Sequence, residues 1–384
     1  MFCRHRIAVV IFGCALGLNA CTEGKSGADG GKEPNVDVDG VASTDKSLNL
    51  LIWSGTISPV TLAHFEKQTG IKLHVSYAVS NEDIETRLMT GHSGFDVVGP
   101  SADYLQRELQ AGAYLPLDKS KLPHLSNMDP ELMRKVAAHD PDNAHATILM
   151  WGTDGIGYNE KIIKRLMPNA PLDSWRMIFD PAVASILSKC GIGMVDSAID
   201  LMRAVLPYLG RDPNSQKPED LMAAEATLMK IRPYISHIDS VDYVQALANG
   251  ELCVALGYSG DVAQARDRAR EANTGIDIKY VIPKEGSIMW FMLLAIPDDA
   301  SNVDGAHQFI DYLMTPEASA EIANFSHEPN ANLAALPLQI PSVRDDPATH
   351  PSPEVRARLS VPLPDSPQQL RAITRMWQKF KAGA

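Results

Sequence analysis

The chain has 384 residues, 45% of them hydrophobic, 21% charged and 6% aromatic. That composition supports about two domains with real cores and excludes a disordered or low-complexity protein. A formal charge of −12, from 35 Lys and Arg against 47 Asp and Glu, argues against nucleic acid or an anionic membrane face as partner, and no apolar run reaches the length of a spanning helix.

The first residues read as an export signal. Arg4 and Arg6 give a positive start, residues 7–18 are apolar, and Leu18-Asn19-Ala20-Cys21 resembles the lipobox of bacterial lipoproteins, with Cys21 as the lipidated residue. Asn19 stands where a small residue is usual, so cleavage by the ordinary signal peptidase is the alternative. Residues 1–20 are thus expected to be a signal peptide and 21–46, rich in Gly, Asp, Lys and Ser, a flexible tether. The expected location is the periplasm, with a lipid anchor as the only membrane attachment. Cys3 and Cys14 leave with the signal, so Cys190 and Cys253 remain as a pair. Two such thiols in an oxidising compartment commonly form a disulfide, and neither has a second Cys or His at metal-ligand spacing.

Strands and helices then alternate. Residues 48–53 form an apolar strand ending at Ser54-Gly55, and Pro59 opens a helix that stops at Thr69-Gly70. Residues 71–79 alternate as a half-buried strand does, Asn81-Glu82-Asp83 caps the next helix, and residues 95–98 form a short buried strand before Gly99-Pro100-Ser101. Further strands are expected at 187–195, 252–257, 280–283 and 292–296, and helices at 303–314 and 316–324. This rhythm implies mostly parallel sheets flanked by helices, with ligands bound beyond the carboxyl ends of the strands. Lobe one is expected over 47–150 with 274–332, and lobe two over 151–273 with 333–384. The crossings, and so the hinge, are placed near Trp151 and at 270–273.

No catalytic motif is present. There is no G-x-S-x-G, no H-E-x-x-H and no Walker A, and the glycine-rich run Gly152-Thr153-Asp154-Gly155-Ile156-Gly157-Tyr158 fits neither phosphate fingerprint. The expectation is a binding protein, not an enzyme, with no cofactor and no metal.

Several phrases carry a family resemblance. Phe65-Glu66-Lys67-Gln68-Thr69-Gly70, Gly94-Phe95-Asp96-Val97-Val98, Leu117-Asp118-Lys119-Ser120-Lys121-Leu122-Pro123 and His139-Asp140-Pro141-Asp142-Asn143 come first. Gly155-Ile156-Gly157-Tyr158-Asn159, Asn249-Gly250-Glu251-Leu252-Cys253, Ile282-Pro283-Lys284-Glu285-Gly286 and Asn330-Ala331-Asn332 follow in order. From about residue 48 onward the chain resembles the periplasmic solute-binding proteins of polyamine ABC transporters, most of all the putrescine type. The resemblance implies a two-lobed type II periplasmic binding fold, a Cys190–Cys253 disulfide, a small cationic amine as ligand, an inner-membrane ABC permease as partner, and a monomer.

It also implies a site. Trp53, Ser54, Ser101, Asp200 and Asp261 match family positions, Tyr258 takes the place of a pocket tryptophan, and Trp290 and Tyr104 take the place of phenylalanines. Gly55 and Met292 stand where the putrescine type has acids, while Asp103 and Glu328 bring acids where it has a small residue and a tyrosine. An ammonium taken out of water needs carboxylates and acceptors, and aromatic rings hold its methylene stem. Losing a buried charge partner costs about 3–5 kcal/mol. The expected function is therefore capture of a polyamine or related amine if Glu328 or Asp103 replaces the missing acids. A bulkier, less charged ligand and a sensory lipoprotein are the alternatives.

Overall fold

A computed structural model describes residues 47–383. The expected signal peptide, Cys21 and the whole of the expected tether therefore lie outside the described residues. Ten strands order the fold: β1 Ser47–Trp53, β2 Lys72–Ala78, β3 Val97–Val98, β4 Ala146–Asn159, β5 Ile192–Met194, β6 His237–Ile238, β7 Val254–Tyr258, β8 Ile278–Val281, β9 Ser287–Ala295 and β10 Leu359–Ser360. They run in the order β2-β1-β3-β9-β4-β7-β5-β6, with β10 on β9 and β8 on β4. The β1–β2, β1–β3, β5–β6 and β5–β7 pairs are parallel, as βαβ alternation requires. The long strands β4 and β9 run antiparallel to each other, to β7 and β8 in the case of β4 and to β3 in that of β9, whereas β10 lies parallel to β9.

Two hydrophobic cores divide this sheet. One gathers Leu50, Phe65, Val98, Trp151, Phe291 and Phe309; the other gathers Ile156, Trp175, Met194, Tyr243, Leu256 and Phe380. β4 belongs to both, because Trp151 lies in the first and Ile156 in the second. Its register follows suit: Ala146 to Thr153 pair with β9, and Asp154 to Tyr158 pair with β7. The return passage falls later than residues 270–273. The helix Ser259–Glu271 packs in the second core through Val262, Ala265 and Ala269, its closing turn over 271–275 is exposed, Ile278 of β8 is again in the second core, and the first core resumes at Ile282. In the C-terminal segment Leu359 joins the first core, whereas Ile373 and Trp377 join the second.

Local signals explain most elements. Ser58 Oγ accepts the Thr61 amide at 3.0 Å, Pro59 begins the helix Pro59–Thr69, and Gly70 at φ 75° ends it. The expected strand at 187–195 is shorter, for Pro181–Leu187 is helical and only Ile192–Met194 is strand. The divider is Gly191, at φ 87°, a conformation other residues adopt at a cost. Cys190 and Cys253 are joined in a disulfide, as expected, with Cα atoms 5.5 Å apart and 63 residues of separation. Closing so long a loop stabilises by about 3–4 kcal/mol. The Cys190→Ser/Cys253→Ser double variant should melt several degrees lower in thermal unfolding, and an unchanged midpoint would contradict this.

Candidate functional site

The glycine-rich run read from the sequence is the middle of β4, a strand buried along its whole length. Glycine is needed there for close approach: a Cβ on Gly152 would enter the Trp290 ring and the Glu328 carboxylate, and one on Gly155 would strike the Tyr280 ring. Opposite residues of an antiparallel pair project from the same face. Gly152 lies opposite Trp290 and Asp154 opposite Tyr258, so Trp290, Tyr258 and Asp154 share one face of the sheet. The Tyr258 and Trp290 rings meet edge to face, centroids 6.1 Å apart.

Three acids surround this pair, two from helices of the second core and Glu328 from the loop after the helix Pro316–Ser326. The Tyr258 hydroxyl donates to Asp200 Oδ2 at 2.7 Å, and Asp200 sits in the first turn of the helix Ala198–Tyr208, capped by Ser197. Asp261, in the first turn of the helix Ser259–Glu271, accepts from the Tyr243 hydroxyl at 2.9 Å, and that hydroxyl in turn accepts the Tyr258 amide at 3.1 Å. No side chain of its own caps this helix. Glu328 does so from outside, accepting Ser259 Oγ–H and the Gly260 amide, each at 2.8 Å. A carboxylate at a helix N-terminus meets unsatisfied amides and the positive end of the dipole. Glu328 thus arrives in this arrangement with both oxygens already bonded.

Asp200, Tyr258, Asp261, Trp290 and Glu328 are therefore brought together. The others lie as follows. Trp53 is half-buried and its Nε1 donates to the Gly99 carbonyl at 2.7 Å; Ser54 is exposed. Ser101 forms an antiparallel bridge with half-buried Met292, and its hydroxyl donates to Asp103 at 2.6 Å. The Asp103 charge reaches Asp200. Tyr104 is buried with its hydroxyl donated to Glu82 and the Arg107 guanidinium 4.5 Å over its ring, so its polar end is already committed.

Electrostatics give this cluster its character. Burial pushes the Glu328 carboxyl well above the ordinary range, against the bonds from Ser259 and Gly260 and with help from the Asp261 charge. Burial likewise raises Asp261 to about 6 and raises Asp200 despite its bonds from Tyr258 and Ser197. Asp154 is raised well above its usual value by burial first, then by the Asp200 charge. None of these four makes an ion pair among the described residues. The nearby Arg203 guanidinium is committed to Asn214, the Leu363 carbonyl and Asp365. Among the described residues no group of His, Cys, Asp and Glu suits a metal ion, and no helix is long and apolar enough to cross a membrane. The arrangement can hold a positive charge beside aromatic faces.

Sequence reasoning missed Asp154 and Tyr243. A lone acid inside a run that proved to be a buried strand was the available signal for Asp154. Tyr243 had none, because its role is to bond residues 15 and 18 positions away.

Residues 61–351 match the family described as bacterial extracellular solute-binding protein. The putrescine-binding periplasmic protein PotF of Escherichia coli is 45% identical over 360 residues, covering 93% of this chain and 97% of that one. The putrescine-binding periplasmic protein SpuD of Pseudomonas aeruginosa is also 45% identical, covering 89% and 94%. Among solved structures, the spermidine/putrescine ABC transporter substrate-binding protein PotD of Streptococcus pneumoniae is 26% identical, with a TM-score of 0.75, and covers 88% of this chain and 99% of that one. The two-lobed α/β fold of periplasmic binding proteins, expected from the sequence, is the fold of this chain.

Proposed function

The chain belongs to the bacterial extracellular solute-binding proteins, a family of receptors and not of enzymes, and from that premise we propose that it is an exported receptor for a di- or polyamine. It takes the ligand between its lobes and delivers it to an ABC permease. The observation that carries this reading is the crowding of Asp154, Asp200, Asp261 and Glu328 around the Tyr258–Trp290 pair without a cation bonded to any of them. An alkyl ammonium supplies the missing charge, and its methylenes suit the aromatic faces.

Trp53, Ser101 and Asp103 form the opposing wall in this reading, with Met292 as its apolar part. Closure is a population shift between open and closed lobes, with the two passages, at residues 151–156 and 281–287, as hinge. The protein works as a monomer in the periplasm, held to the membrane by lipid on Cys21.

A thermal-shift screen tests the ligand class, with putrescine, cadaverine, spermidine, agmatine, basic amino acids, monoamines and bulkier apolar amines as the panel. A ligand at about 100 times its dissociation constant adds roughly 2.7 kcal/mol of stability, enough to read clearly. The expected result is a clear rise with at least one di- or polyamine. A folded, ligand-free protein that ignores every member bearing two or more ammonium groups would overturn the proposal.

A further inference from the structure

Asp154 is 1% exposed, and neither of its carboxylate oxygens has a hydrogen-bond partner. A buried carboxyl left unbonded is costly whether neutral or ionised, so its surroundings call for an occupant. Strand alternation says where that occupant would sit. Thr153 and Gly155 face Tyr280, which exchanges a hydroxyl bond with Thr153 at 2.8 Å and blocks a Cβ on Gly155. Gly152 and Asp154 face the other way, toward Trp290, Glu328 and Tyr258. The same face holds a second orphan, the buried Trp290 Nε1, which also has no partner. The charges of Asp200 and Glu328 both act on Asp154, and Asp154 acts on the Tyr258 hydroxyl. The carboxyl therefore points into the candidate site from the strand common to both cores.

We propose that Asp154, with Asp200 beside it, receives one ammonium group of the bound amine, while Asp261 receives the other; this rests on the amine-receptor reading above. The acid absent at Met292 is thereby replaced from β4, not by Glu328, whose oxygens are already bonded to Ser259 and Gly260. A ligand anchored on β4 also bears directly on the strand that passes between the lobes.

Two isosteric probes test this by isothermal titration: 1,4-diaminobutane, with two ammonium groups, and 4-aminobutan-1-ol, with one. The wild-type protein should prefer the diamine by about 100-fold, the worth of a buried charge pair. In Asp154→Asn the diamine should fall to the level of the amino alcohol, whose own affinity changes little. Asp154→Ser, smaller and free of the amide, should do the same, and melting curves of both empty variants establish that they fold. Retention of the wild-type preference in either folded variant would overturn the assignment of Asp154. If the wild-type protein binds neither probe, nor spermidine nor agmatine, the amine reading itself falls and this assignment with it.

Discussion

Replacing Asp261 by Asn should raise the dissociation constant for a bound diamine by about 100- to 4,000-fold while the empty protein melts no lower. The loss follows from leaving an ammonium buried without its carboxylate, which costs about 3–5 kcal/mol. Asn is the informative substitution because the Tyr243 hydroxyl donates to Asp261 and is fully buried; an amide oxygen keeps an acceptor there, and Ala would not. The effect on stability has the opposite sign to the effect on binding. Burial raises the Asp261 carboxyl to about 6, above its unfolded value near 3.8. Its contribution is thus fully present below the unfolded value and is lost as pH rises through 6. At pH 8 the ionised group costs the empty protein about 3 kcal/mol, a penalty that Asn lacks. The variant should therefore melt above wild type at pH 8, with the gap closing toward pH 4. Undiminished diamine binding in Asp261→Asn would remove this residue from the site. A variant that melts far below wild type at pH 8 would refute the electrostatic account.

Which parts of this molecule could be read in advance depends on the range of the interactions that set them. Caps and breakers act within a few residues, so the helix from Pro59 to its stop at Gly70 was legible from Pro59 and Thr69-Gly70 alone. The run at 187–195 misled because the helix end at Leu187 and the short strand from Ile192 are both apolar, and only the 3-10 turn Ser188–Cys190 and Gly191 separate them. β4 was hidden for a different reason. Its glycines at 152, 155 and 157 resemble a loop, yet each makes room for a side chain from elsewhere in the fold, namely Trp290, Tyr280 and Val262. At the site, Asp200, Asp261, Tyr258 and Trp290 were legible through the family resemblance, and the fold places them around one another. The role of Glu328 was not, because its partners lie 68 and 69 residues away in sequence. Nor was Asp154, since an acid in a strand shows its lack of partners only when every neighbour is in place.

That same crowding makes amine capture dependent on pH, in a direction that can be worked out. Asp154, Asp200 and Glu328 have raised carboxyls, and Asp261 is at about 6, so the empty site keeps protons to higher pH than exposed acids do. An ammonium entering among them favours the ionised forms and draws their values down. Reciprocity then requires that protons leave as the amine binds and that affinity rise with pH. The ligand keeps its own charge throughout, since alkyl ammonium groups titrate near 10.4 in the manner of lysine. Below pH 6 the release of one proton from Asp261 alone should make the diamine bind about tenfold tighter for each pH unit gained. Titration at pH 5.5 in acetate and in MES, whose ionisation heats differ, should give unequal binding heats and so count the protons, with about one or more released. Asp261→Asn should release about one fewer, at its weaker affinity. Equal heats in the two buffers would mean that these carboxylates are ionised before the ligand arrives. The site would then be a preformed well of negative charge, and repulsion among its acids would oppose closure of the empty lobes. The further burial raises these acids, the less of that repulsion the empty site carries, and the more of the charge develops only where the ammonium is present to meet it.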